Sequence, residues 1–199
     1  MNYDCDFYIR PYLGERRSGD LIVIKTYREE DSDQVEDLVL IVVDMMGHGP
    51  DAAKGGDVAR AFLSRTELRT PEKLFEGLNR SLKGVLGAAG GICRFNLKTN
   101  EMTWIGVGNV HMKTFSNDKN FICQDGIIGE FKRELRIQKN SFSPGDVFLF
   151  ASDGVTTNFQ LKDFPQWKTM SPKALATTVV KKFGSDKDDS SCAIIKFYD

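Results

Sequence analysis

A chain of 199 residues, 41% hydrophobic and 28% charged, carries enough apolar material for one sizeable core, and we expect a single domain over 1–199. Its formal net charge of −1 leaves no cationic footprint for nucleic acid or an anionic membrane surface, and its apolar runs fall well short of a bilayer span. Cys5, Cys93, Cys123 and Cys192 are scattered without a C-x-x-C pair, which argues against a zinc knuckle or a dithiol motif. The start MNYDCDFYIR has acids where a signal peptide needs an apolar core, so the expected compartment is a reducing cytoplasm.

In chain order, DLIVIKTY (20–27) and LVLIVV (38–43) read as strands, and the polar REEDSDQVED between them makes the pair a hairpin. PDAAKGGDVARAFLSRT has helical spacing through Ala52, Val58, Ala61 and Phe62. TPEKLFEGLNRSLKGVL offers Thr70 as N-cap, Pro71 at the first helical position and an apolar face of Leu74, Leu78 and Leu82. Strand-like runs then return in GGICRFNL, MTWIGVG, HMKTFS, RELRIQK and DVFLFAS, with turns at Thr99-Asn100 and at Ser-Asn-Asp 116–118; GVGNV (106–110) reads as a glycine bulge. A last helix, SPKALATTVVKKFG, precedes the strand CAIIKF. Grouped strands and paired helices predict an α+β domain with antiparallel sheets.

The placement of the acids is informative. LVLIVV is apolar enough to be buried on both faces, yet it stops on Asp44 before a glycine-rich turn. Asp20 begins the first strand, so an antiparallel hairpin puts Asp20 and Asp44 together at its open end. Asp153 follows DVFLFAS and Asp188-Asp189 precede CAIIKF, so pairing of those strands repeats the arrangement. For any one of these acids a turn role is the simpler reading. Four converging carboxylates repel and take up protons unless a cation lies between them, and an all-oxygen donor set favours magnesium, manganese or calcium. His48, in a Gly-His-Gly turn, reads as a structural residue.

The ordered motifs resemble the PPM-type (protein phosphatase 2C-like) serine/threonine phosphatases, specifically their bacterial SpoIIE-like branch. RSGDLIVI resembles the Gly-Gly-Asp motif, VVDMMGHGPDAA the Asp-x-x-Gly-His-Gly motif, and IGVGNV the Ala-Gly-His strand. PGDVFLFASDGVTTN resembles the Gly-Asp to Asp-Gly-Thr-Glu stretch, and DDSSCAII the closing Asp-Asp-x-Thr strand. The resemblance implies an antiparallel β-sandwich flanked by helix pairs, with two Mn2+ or Mg2+ ions. Asp44 would bridge the ions, Asp153 and Asp188 (or its neighbour Asp189) would complete one site, and Asp20 with the Met45 carbonyl would serve the other. Asp44 and Asp153 would be the acids central to catalysis, with a metal-bound water attacking phosphorus. Departures are Met45 for glycine, Asn109 for histidine, Ser191 for threonine, and Met46 where eukaryotic members have a histidine.

In size the chain resembles the free-standing RsbX-like stressosome phosphatases, which implies a phosphorylated STAS-type protein as substrate. A pseudophosphatase that only docks a phosphoprotein and a small-molecule phosphatase are the alternatives. The segments expected to recognise substrate are REEDSDQVED and TNFQLKDFPQWKTM (157–170), the latter through Phe159, Phe164 and Trp167, for which packing against the core is an equally good reading.

Overall fold

The computed structural model describes residues 1–29, 32–115, 121–160 and 163–199. Its elements in chain order are β1 (Asn2–Arg10), β2 (Leu21–Arg28), β3 (Val35–Met45), α1 (Gly49–Arg65), α2 (Pro71–Ser81), β4 (Ala88–Asn96), β5 (Glu101–Val107), β6 (His111–Thr114), β7 (Gln138–Ser141), β8 (Val147–Ala151), α3 (Pro172–Phe183) and β9 (Ser190–Tyr198). They form two antiparallel sheets, β1-β9-β8-β6 and β2-β3-β4-β5-β7.

The unbroken apolar run of β3 follows from its place in the stack. Val39, Ile41 and Val43 face one cluster with Leu63 of α1 and Leu74 and Leu78 of α2. Leu38, Leu40 and Val42 face the sandwich interior with Phe95, Trp104, Phe148 and Phe150. With both faces covered, the strand has no solvent side on which to alternate. On the other sheet, Leu149 and Ile194 face outward onto Leu175 and Val179 of α3. The order of layers is therefore α1 and α2, five strands, four strands, and α3, so the described residues place a helix pair on one side and a single helix on the other.

The helices begin where expected. Thr70 stands at the N-cap of α2 with Pro71 behind it, and the Ser171 hydroxyl accepts from Ala174 N at the start of α3. The expected face of α1 needs correction. Ala61 is exposed, and the helix instead buries Ala52, Ala53, Gly55, Gly56, Ala59 and Leu63, small residues that bring its backbone close to the sheet. At Gly55 a Cβ would lie 2.3 Å from Met45 Cε, so the Met45 side chain fills the notch that this glycine leaves.

Several segments differ from the sequence reading. β1 was missed, although Tyr3, Cys5, Phe7 and Ile9 alternate at period two and pack against the sandwich interior. β2 and β3 extend into the polar connection, where Asp37 is buried and accepts a two-pronged bond from Arg94 at 2.7 and 2.9 Å. Within GVGNV the β4–β5 ladder reaches only Val107 and runs unbroken to that point, with Gly91 opposite Gly106. Those glycines admit the Trp104 indole, since a Cβ on Gly91 would stand 2.0 Å from it. The turn at Asn100 forms with a positive φ of 56°, whereas the one proposed at 116–118 lies outside the described residues.

Candidate functional site

Leu21 pairs with Val43, so one step further along each strand stand Asp20 and Asp44, at the open end of the hairpin. Ala151 pairs with Cys192, which leaves Asp153 just past the end of β8 and Asp188 just ahead of β9. Because the two sheets face each other, both pairs reach one rim, where Asp153 N donates to Asp44 Oδ2 at 3.4 Å.

The electrostatics record this crowding. Burial pushes the Asp20 carboxyl up to about 7, opposed by the Ser152 and Ser191 hydroxyls and reinforced by Asp189 and Asp188. Asp44 is pushed up to about 9, by burial first and then by Asp20 and Asp153, with the Asp153 N–H pulling the other way. Asp188 is raised by its burial and by Asp153. Asp20 is 4% exposed, and its Oδ2 is the one buried side-chain nitrogen or oxygen without a hydrogen-bond partner among the described residues. Such an atom is costly in the absence of a cation or water. Among the described residues, however, no three His, Cys, Asp or Glu side chains form a ready-made metal cage.

Met45 is buried in β3 opposite Ala88, with its side chain turned to α1. The described residues include one non-glycine with positive φ, Asn100, so methionine costs no backbone strain at position 45. Asn109 follows the positive-φ Gly108 and donates through Nδ2 to Asp153 Oδ2. His111, which sequence reasoning missed, lies two residues on. Burial lowers its pKa while Asp153 raises it, which places the imidazole in the same field. The available signal was its place at the first residue of a strand, two residues after Asn109.

His48 is exposed at the N-cap of α1 and stacks on Tyr12, with ring centroids 4.0 Å apart and planes within 5°. Asp189 is buried, and its two oxygens accept from Tyr12 N and Gly19 N, each at 2.7 Å. The aromatic docking residues need correction. Phe159 and Phe164 are 2% and 3% exposed and sit in the core with Phe115 and Val179, so they present no surface to a partner. Trp167 is partly buried and packs on the same cluster. Beneath it, buried Lys196 donates to the Trp167 and Met170 carbonyls at 2.6 Å each.

A family model, Stage II sporulation protein E (SpoIIE), matches residues 34–197. No curated protein matches the sequence. Among solved structures, a chain described under the bacterial stressosome, a modular system adapted to control secondary messenger signalling, is 26% identical with a TM-score of 0.87 and is covered over 98% of this chain and 100% of its own. RsbX in complex with magnesium is 18% identical with a TM-score of 0.80, covering 98% and 95%. The catalytic domain of the serine threonine protein phosphatase PstP, in complex with 2 manganese ions, is 11% identical with a TM-score of 0.65, covering 100% of both chains.

Proposed function

Because the chain belongs to the SpoIIE family, we propose that it is a metal-dependent protein phosphatase that removes phosphate from serine or threonine on STAS-type regulators of a bacterial stress pathway. Its architecture is that of the protein phosphatase 2C-type domains, of which PstP is one. The observation that carries the reading is the buried, unbonded Asp20 Oδ2 in the shared field of Asp44, Asp153 and Asp188.

An all-oxygen donor set of this charge fits hard divalent ions, Mn2+ or Mg2+. Asp44 would lie between two of them, with Asp153 and Asp188 completing one site and Asp20 and the Met45 carbonyl the other. When bound, such ions supply Lewis-acid activation of water and of a phosphoryl oxygen near neutral pH. The chain's own groups orient this set. Asn109 fixes the Asp153 carboxylate, and the Asp153 N–H steadies Asp44. Ser152 and Ser191 hold the ionised form of Asp20. Burial disfavours the charged form of the His111 imidazole, while Asp153 favours it.

The magnesium and manganese complexes of RsbX and PstP support the choice of metal, and RsbX and the stressosome chain support the pathway. Four free cysteines suit a cytoplasmic setting, and no helix of the described residues is long and apolar enough to cross a membrane. The test is phosphate release from a STAS-domain protein phosphorylated on its serine, with Mn2+ and with chelator. Mn2+-dependent release is expected. Failure with every phosphoprotein tried, or release that survives chelation, would overturn the reading.

A further inference from the structure

We infer that Asp189 is a positioning residue, not a metal ligand: its carboxylate closes the segment from Tyr12 to Gly19 into a loop that aims Asp20 and seats Tyr12 on His48. The inference rests on the phosphatase reading only for what the loop is positioned to do; the clamp itself stands on geometry.

Both oxygens of this buried group are engaged by backbone N–H donors from the two ends of one segment, Tyr12 to Oδ1 and Gly19 to Oδ2, each at 2.7 Å. Charge-assisted bonds of this length are the strong kind, and they fix both oxygens toward the loop. Asp188 is placed differently: half in solvent, it feels Asp153 and His48 and accepts from Asp189 N at 2.8 Å, which leaves a free oxygen on the rim.

The clamp has rigid footing on each side. A Cβ on Gly154 would stand 1.8 Å from the Asp189 carbonyl oxygen, so Asp189 is pressed against the turn that presents Asp153. A Cβ on Gly19 would stand 2.7 Å from Ala52 Cβ and 3.1 Å from Met45 Cβ, so the residue ahead of Asp20 is wedged against α1 and β3. At the other end of the loop, the Tyr12 ring lies flat on His48. Asp189 thus joins the start of the chain to both acid-bearing turns, and it restricts Asp20 to a direction set by Gly19.

The test compares Asp189→Asn with Asp188→Asn in the full chain. Asparagine keeps one acceptor but turns an amide group toward the other N–H, which frees one end of the loop. We expect Asp189→Asn to bind as many Mn2+ ions as the wild type by calorimetry. Amide exchange across 12–19 should quicken by roughly tenfold or more, and kcat on p-nitrophenyl phosphate should fall about 10–100-fold with KM little changed. Asp188→Asn should weaken Mn2+ binding and leave exchange at 12–19 unchanged. Loss of an ion in Asp189→Asn, or wild-type exchange at 12–19, would overturn the assignment. If Asp189→Asn does not fold, the wild type decides: the Tyr12 and Gly19 amides should be protected while Leu13, Arg16 and Arg17 exchange freely, and fast exchange at both clamp amides would end the proposal. If the wild type binds no Mn2+, the phosphatase reading fails while the exchange result still judges the clamp.

Discussion

At Asp44 a carboxyl pushed up to about 9 sits between two acids that repel it, so the metal-free protein is expected to hold it protonated at neutral pH. Asparagine keeps the shape and removes the cost. Asp44→Asn should therefore abolish Mn2+-dependent turnover while raising the stability of the metal-free protein by on the order of 1–2 kcal/mol, read from thermal melts in chelator. Lost stability would mean that the carboxylate is held by something other than metal. The same shifts fix a pH dependence. A carboxyl with a raised folded pKa binds more protons folded than unfolded, so its contribution is intact below about pH 4, near the unfolded value. It is lost as pH rises through about 7 for Asp20 and about 9 for Asp44. The melting temperature in chelator should thus decline between pH 5 and 9, and Mn2+ should stabilise increasingly over that range. Binding near pH 7 should release about one proton or more, measurable by calorimetry in buffers of different ionisation enthalpy.

Among the elements, the β4–β5 pair and the segment from 157 to 170 give separate tests. Gly91→Ala drives a methyl into the Trp104 indole in a filled core and should cost about 1–3 kcal/mol in denaturant melts. An unchanged midpoint would mean that the indole has room to move. Trp167→Ala, expected from sequence alone to impair docking of a protein substrate, is now expected to lower stability and to affect p-nitrophenyl phosphate and a phosphoprotein alike, because the ring packs over Phe115 and Lys196. A selective loss on the phosphoprotein would restore the docking role. The sequence made the acids legible because each stands at a strand end next to a turn, where chain order alone dictates convergence. The aromatics misled for the opposite reason. The loop around them is polar, and nothing in it announces that α3 and the buried ammonium groups of Lys113 and Lys196 pull it inward. In β1, Asp4 and Asp6 hold the polar positions of the alternation that sets Tyr3, Cys5, Phe7 and Ile9 on the interior face, so the strand was legible by period and only its charged residues concealed it. The Asp189 clamp depends on a contact spanning 170 residues, which no local pattern carries.

Across the whole molecule, Asp44 belongs to the five-stranded sheet and Asp20 borders it, and Asp153 and Asp188 border strands of the four-stranded one. Between the two sheets lie mainly apolar side chains such as Phe95, Phe148 and Phe197, whose attraction has no direction and resists sliding weakly. Ions held by acids from both sheets would act as a clasp at one end of a two-leaved structure whose other end is joined by the chain itself, through residues 142–146 between β7 and β8. With both ends tied, shear between the leaves would meet resistance at each. Chelation would free the rim to part first, with the leaves swinging about the β7–β8 link as about a hinge, so the metal would set the direction in which the fold yields as well as the chemistry at its rim.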